Sequence, residues 1–180
     1  MIKCCVLTCT ALLLISTPPL FAQKALVLQS AKVEYKIKNA GINTTGHFGK
    51  VAADIIFDAN NLEKSKISAT VQVGSLNSGI GLRDKHLKGE AYFNAEKYPA
   101  ISLISTKITK TDSGYLGTFN LNIKAVTQFI QLPFTVTQNG NILDFQTNEF
   151  SIDRLTYGVG KSSITLSNTV NISIKATFSM

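Results

Sequence analysis

The chain has 180 residues, a hydrophobic fraction of 44% and a formal net charge of +7. Its three cysteines, Cys4, Cys5 and Cys9, all lie among the first ten residues, so thiol and disulfide chemistry is excluded for the rest of the chain. The positive charge comes from lysines spread singly along the sequence, with only two arginines, Arg83 and Arg154. Nucleic-acid-binding domains concentrate their basic residues in a patch or stripe, so this spacing argues against that class. It is compatible with a weak attraction to an anionic membrane surface.

Residues 1–22 have the features of a cleaved signal peptide. Lys3 precedes an apolar run from Cys4 to Ser16, and Ala22 is a small residue immediately before the expected cut. The run is too short for a helix, at about 1.5 Å per residue, to cross a hydrocarbon core of about 30 Å. We therefore expect an exported protein, periplasmic or secreted, whose mature domain comprises residues 23–180.

The mature sequence is dominated by apolar residues that alternate with polar ones. Val33, Tyr35 and Ile37 alternate with charged residues, which is the pattern of a half-buried strand. Comparable alternation or shorter apolar runs recur at residues 51–57, 67–73, 101–108, 119–123, 130–136, 142–152 and 170–178. Turn-forming residues separate several of these runs, so the sequence predicts an all-β domain of about eight antiparallel strands.

Strands with one apolar face must bury that face, either by closing into a barrel or by splitting into a sandwich. Small residues on the apolar face, such as Ala53, Ala69 and Ala176, leave room for a cavity inside a barrel. If the Lys- and Glu-bearing faces point outward, the following residues are predicted to line a tunnel: Val33, Tyr35, Ile37, Phe57, Val71, Leu103, Phe119, Leu121, Phe134, Phe145, Ile172 and Ile174.

Residues 80–98 interrupt the β pattern and predict a short helical insertion. A helix is expected over residues 82–88, with Gly89 as a left-handed cap. Arg83, Asp84 and His86 concentrate charge on it. Two interpretations remain open: Arg83 and Asp84 hold the insertion against the barrel, or the insertion is a lid at the mouth of a ligand site.

No arrangement of residues predicts catalysis. The sequence lacks the G-x-S-x-G and H-E-x-x-H patterns, and its two histidines, His47 and His86, have no clear third ligand beside them. We therefore predict no catalytic residue, no catalytic cofactor and no metal. An integral outer-membrane barrel is an alternative class, against which the many lysines and the absence of aromatic girdles argue.

Three ordered groups of residues resemble a known family. They are Ser78-Gly79-Ile80, Arg83-Asp84, His86-Leu87, Tyr92-Phe93 and Lys97-Tyr98-Pro99; then Leu121 to Thr127 with the apolar strand 130–136; then Ile152-Asp153-Arg154 and Tyr157-Gly158. This pattern resembles the YceI-like family of periplasmic, lipocalin-like, polyisoprenoid-binding proteins. The chain departs from it at Ala125, where glycine is usual, and at Asn39, where histidine is common.

The resemblance implies an elongated eight-stranded lipocalin-like barrel that encloses a tunnel and has a helix over one side. It also implies that the tunnel holds a long isoprenoid lipid of the quinone or polyprenyl type, and it implies no catalytic residues. The leading hypothesis is accordingly a periplasmic lipid-binding or carrier protein. The alternative is a non-enzymatic envelope stress or adhesion protein whose barrel is filled by its own side chains.

Overall fold

The structure is a computed structural model that describes residues 26–180. The predicted signal peptide lies outside the described residues. The described elements are β1 (Val27–Asn39), β2 (Ile42–Phe48), β3 (Val51–Ile56), β4 (Lys66–Gln72), β5 (Leu76–Asn77), α1 (Gly81–Lys88), β6 (Ala100–Thr111), β7 (Gly114–Ile123), β8 (Val126–Asn139), β9 (Ile142–Thr147), β10 (Phe150–Asp153) and β11 (Leu166–Ser179). Short 3₁₀ turns lie at Leu62–Lys64, Val73–Ser75 and Arg154–Tyr157.

All strand pairs are antiparallel, which confirms the predicted all-β fold. The strands follow the order β3-β4-β6-β7-β8-β9-β11-β1-β2-β5, and β10 adds to β11. The eleven strands differ from the predicted eight because two long strands are bent and because a two-residue strand, β5, pairs with β2. β2 and β3 are separated only by Gly49 and Lys50, and β9 and β10 both pair with β11. The ring closes at the β2–β3 bend, where the chain passes from pairing with β1 to pairing with β4.

The alternation along β7 shows how the sequence positions the interior. Gly117, Phe119, Leu121 and Ile123 are buried, whereas the residues between them are more exposed. Successive side chains of a strand point to opposite faces, so these four residues face the inside of the barrel. Their burial contributes roughly 25 cal/mol for each Å² of apolar surface removed from water.

The two ends of the barrel differ. One end holds the start of β1 and the end of β11, and we call it the closed end because aromatic rings fill it. Phe178 is fully buried there and meets Phe145 edge-on, with ring centroids 5.5 Å apart. The other end, the mouth, holds the β1–β2 turn and the loop 158–165, which are joined by a 2.8 Å hydrogen bond from Ala40 N to Thr165 O.

The insertion at residues 80–98 forms as predicted in outline but not in its cap. It contains α1, the single α-helix among residues 26–180, followed by turns. Gly89 is extended (φ −71°, ψ 171°), so the predicted left-handed cap is wrong. The reason lies in the returning chain: the amides of Phe93 and Ala95 donate to Leu87 O (3.0 Å) and Lys88 O (2.9 Å), and thereby satisfy the last helical carbonyls. Within the described range, no helix is both long and apolar enough to span a membrane.

Candidate ligand-binding cavity

The interior of the barrel contains an apolar cavity of about 250 Å³. Its wall extends from Asn39, Thr44 and Leu166 near the mouth to Phe134 and Phe145 near the closed end. An apolar cavity of about 150 Å³ already holds a ligand of the size of benzene, whereas pockets for drug-sized ligands begin at about 300 Å³. The cavity therefore suits a slender apolar chain better than a broad, rigid ligand.

The structure brings most of the predicted tunnel residues together. Eleven of the twelve line the cavity: Val33, Tyr35, Ile37, Val71, Leu103, Phe119, Leu121, Phe134, Phe145, Ile172 and Ile174. Phe57, the twelfth predicted residue, lies outside this lining. Its ring packs edge-on against Tyr115 and Phe145, with centroids 5.1 Å and 5.5 Å away, and helps to fill the closed end.

The insertion contributes wall residues that strand periodicity does not reveal. Leu87, Tyr92 and Phe93 line the cavity, and the Phe93 ring meets Phe48 edge-on with centroids 6.2 Å apart. Leu87 and Phe93 also pack against the buried cluster of Phe48, Val71 and Leu76. The insertion therefore covers the gap in the barrel wall at the β2–β3 bend. The family resemblance implies a helix over one side of the barrel, but it does not indicate which residues of the insertion reach the cavity.

Arg83 and Asp84 are connected through Ser78 and do not pair directly. Arg83 Nε donates to Ser78 Oγ (2.8 Å) and Nη2 donates to Ser78 O (2.6 Å). Asp84 Oδ1 accepts hydrogen bonds from Ser78 N (2.8 Å) and from Ser78 Oγ. The hydroxyl bond of Ser78 is the main reason that the pKa of Asp84 lies below its usual value. The hydrogen bonds among Ser78, Arg83 and Asp84 anchor the start of α1. Of the two charged residues only Arg83 lines the cavity, so the group presents one cationic side chain to the interior.

Tyr35 lies on the cavity wall with its hydroxyl buried and without a hydrogen-bond partner in the described part of the chain. Its ring lies over Gly46, its cross-strand partner, where a Cβ would stand only 2.3 Å from the phenolic oxygen. Burial raises the pKa of Tyr35 to about 12, although the nearby Arg83 guanidinium opposes the shift. The phenol is therefore neutral at every physiological pH.

Arg154 is the second arginine of the chain, and it too lines the cavity. Its side chain is buried and donates to two backbone carbonyls of the loop 158–165, Nη1 to Val159 O (2.8 Å) and Nη2 to Lys161 O (2.9 Å). It also donates to the start of β11, Nε to Ser167 O (2.9 Å) and Nη2 to Asn168 Oδ1 (3.2 Å). Arg154 thus joins the loop 158–165 to β11 beside the mouth. The sequence motif singled out this arginine without indicating what it binds.

His86 does not face the cavity but stacks edge-on against Tyr92, with ring centroids 5.2 Å apart. No cluster of three or more His, Cys, Asp or Glu side chains that could hold a metal ion occurs between residues 26 and 180. Asn39, the departure from the family pattern at the end of β1, lines the cavity near the mouth.

An antiparallel barrel with an apolar cavity and a helical cover defines a β-barrel of the lipocalin-like kind. The chain belongs to the YceI-like family, whose domain model matches residues 25–178. A UPF0312 protein of Yersinia pestis strain Pestoides F is 31% identical over 114 residues, which are 63% of this chain and 59% of that relative. The chain therefore spans about three fifths of the length of such curated relatives.

Solved structures share the fold. BcnA of Burkholderia cenocepacia superposes with a TM-score of 0.78 and is 26% identical, covering 82% of this chain and 95% of its own. The YCEI protein of Campylobacter jejuni gives a TM-score of 0.70 at 26% identity, covering 77% of this chain and 86% of its own. A polyisoprenoid-binding domain of Saccharophagus degradans, implicated in plant cell wall breakdown, is only 14% identical but has a TM-score of 0.67. That domain covers 86% of this chain and 97% of its own, and its likeness concerns the fold alone.

Proposed function

We propose that the protein binds a long isoprenoid lipid, of the isoprenoid quinone or polyprenyl type, in the barrel cavity and carries it without changing it chemically. The observation that supports this proposal most is the apolar cavity of about 250 Å³ bounded by strand residues from the mouth to the closed end. Removing apolar surface of a ligand from water contributes about 25 cal/mol per Å². Affinity should therefore rise with chain length until the cavity is full.

Several features support carriage over catalysis. The residues that line the cavity include no thiol, imidazole or carboxylate, and its charged members are the two arginines. Such groups are the usual general acids and bases, and they are the usual activators of a hydroxyl nucleophile. The fold shared with the Saccharophagus polyisoprenoid-binding domain is consistent with an isoprenoid chain as the ligand.

The proposal places the protein in the periplasm or outside the cell, because residues 1–22 have the pattern of an export signal. The excess of lysine over acidic residues supports a transient contact with an anionic membrane, from which a lipid would be collected. Fractionation of cells that express the full chain tests this location. Recovery of the protein in the cytoplasm with its first 22 residues attached would contradict it.

Native mass spectrometry of the protein purified without detergent tests the binding function. We expect a mass increment that disappears on organic extraction, and an extracted lipid that contains repeated isoprene units. A protein that is always empty, and that stays empty after incubation with isoprenoid lipids, would favour the alternative of a filled barrel with a stress or adhesion role.

A further inference from the structure

Several large apolar side chains around the cavity opening are exposed. Ile42 is 71% exposed, Ile80 54%, Leu82 80% and Ile164 106%, and we call these four residues the apolar rim. Single exposed apolar residues are normal on a protein surface and need no explanation. The members of the rim differ because they lie in three segments around the opening, the β1–β2 turn, the start of the insertion and the loop 158–165. Each segment also contributes a residue to the cavity wall: Asn39, Arg83 and Val159, respectively.

Ile42 and Ile164 lie at the mouth itself. Ile42 pairs with Asn39 across the β1–β2 turn, and Asn39 also pairs with Leu166 of β11. Both Asn39 and Leu166 line the cavity. The hydrogen bond from Ala40 N to Thr165 O, at 2.8 Å, ties the residue next to Ile164 to the same turn. The two isoleucines therefore flank one side of the opening.

Ile80 and Leu82 belong to the start of the insertion. Arg83, the next residue, and Leu87 line the cavity from α1, whereas Leu82 points away from it into solvent. The Ser78 hydrogen bonds to Arg83 and Asp84 fix the start of the helix in this orientation. The insertion therefore presents one apolar face inward and leaves Leu82 without a partner in the described structure.

Positive charge accompanies the apolar rim in each of its three segments. Lys38 precedes the β1–β2 turn, Lys85 lies one turn after Leu82 on α1, and Lys161 lies in the loop that contains Ile164. All three lysines are exposed, and among the described residues none of them is in an ion pair. Apolar side chains interspersed with free lysines match a bilayer surface that carries anionic phosphates.

We propose that the apolar rim is a docking surface for a bilayer that contains anionic lipids, and that it seats the cavity opening on the membrane. The rim side chains enter the headgroup region, and the three lysines lie at the level of the phosphates. This inference rests on the proposed function, because a lipid chain that passes directly from bilayer to cavity avoids exposing its apolar surface to water.

Flotation of the purified protein with lipid vesicles tests the docking surface. Vesicles of phosphatidylethanolamine with phosphatidylglycerol are compared with vesicles of phosphatidylcholine alone, for wild type and for the triple variant Ile42→Ser, Leu82→Ser, Ile164→Ser. Val27→Ser is the matched control, because Val27 is 58% exposed but lies at the closed end, paired with Ser179. All four positions are exposed, so the variants should retain the fold, and circular dichroism verifies this.

We expect wild type and the Val27→Ser control to float with the anionic vesicles. The partition coefficient of the triple variant onto the same vesicles should be lower by a factor of at least roughly ten. Lys38→Gln, Lys85→Gln, Lys161→Gln together should abolish the preference for anionic over neutral vesicles. Equal flotation of the triple variant and wild type, or no flotation of wild type, would overturn the docking surface. Native mass spectrometry of the same samples separates the two proposals, because a protein that holds lipid but fails these tests retains its binding function.

Discussion

The contribution of Tyr35 to stability depends on its buried hydroxyl. A buried hydroxyl normally finds a partner, yet the Tyr35 hydroxyl has none among the described residues. Its position depends on the strand pair, since the ring occupies the space that a side chain at its cross-strand partner Gly46 would take. Alternation predicted that Tyr35 points inward, but no sequence pattern indicates that its hydroxyl lacks a partner, because that depends on packing across β1, β2 and α1.

Tyr35→Phe should leave the free energy of unfolding unchanged or raise it by up to about 1 kcal/mol, because the variant removes an unsatisfied buried polar group without removing the ring. Urea unfolding measures the change. Gly46→Ala is the opposing control, since its Cβ would collide with the Tyr35 ring and should destabilise the protein. A loss of more than about 1 kcal/mol in Tyr35→Phe would mean that the hydroxyl has a partner in solution.

Asp84 stabilises the start of α1 through Ser78, and this contribution depends on pH. Because the folded pKa of Asp84 lies below its unfolded value, the stabilisation is present above the unfolded pKa and is lost as the pH falls through the folded pKa. Asp84→Ala should lower the free energy of unfolding at neutral pH by about 1–2 kcal/mol. Urea unfolding at neutral pH and at acid pH, with Ser78→Ala and the double variant, checks both the size and the coupling.

Part of the acid sensitivity of wild type should therefore be absent from Asp84→Ala. If the two proteins lose stability in parallel between neutral pH and pH values below the usual range of aspartate, the hydrogen bonds to Ser78 do not stabilise the fold as described. Additive effects of Ser78→Ala and Asp84→Ala would contradict the account as well, since the two residues share the same bonds.

Among the secondary-structure elements, the regular strands could be predicted and the bends could not. Strand β7 alternates so regularly that its inward residues, including Phe119 and Leu121, follow from the sequence. The breaks between β2 and β3 and between β9 and β10 depend on how the ring of strands closes, which is a property of the whole sheet. The conformation of Gly89 also depends on a distant part of the chain. The helical carbonyls that a left-handed Gly89 would cap accept hydrogen bonds from amides of the returning chain instead.

The loop 158–165 depends on one side chain, because buried Arg154 donates to two of its backbone carbonyls, Val159 O and Lys161 O, and to Ser167 O at the start of β11. Arg154→Lys should destabilise this loop, since a lysine carries a point charge and cannot reproduce the planar fork of donors. We expect faster amide hydrogen exchange in residues 158–168 and a loss of about 1–3 kcal/mol in global stability. Lys161→Ala, which retains the backbone carbonyl, is the control and should leave exchange nearly unchanged. Equal protection in Arg154→Lys and wild type would contradict the role assigned to Arg154.

At the level of the whole molecule, apolar alternation predicted most of the cavity wall but not whether the interior is open. A filled barrel and an open one share the same pattern, because the difference lies in how closely opposite walls approach. In the structure the interior is packed unevenly. Aromatic rings fill the closed end, whereas a cavity remains beside Leu121. A helix over one side follows from the family resemblance, but the contacts of Leu87 and Phe93 with the cavity do not, since they depend on where the insertion folds back.

Two equally buried leucines allow the cavity wall to be compared with the packed core. Leu121 and Leu143 are each 6% exposed, but Leu121 lines the cavity whereas Leu143 packs within the aromatic cluster of the closed end. Leu143→Trp should cost about 1–3 kcal/mol or more, because overpacking forces neighbouring side chains from their rotamers. Leu121→Trp should cost clearly less, since the indole can extend into the cavity. Thermal unfolding of the delipidated variants measures the difference, and equal destabilisation would show that the interior is closed beside Leu121.

Lipid binding in the cavity is tested by the uptake of a long-chain isoprenoid quinone by delipidated protein, measured for wild type, Leu121→Trp and Leu143→Trp. We expect that wild type binds the quinone, that Leu121→Trp remains folded but loses most of this binding, and that Leu143→Trp, where it is folded, still binds. A wild-type protein that takes up no isoprenoid lipid of any chain length, or a Leu121→Trp variant that binds as well as wild type, would contradict it.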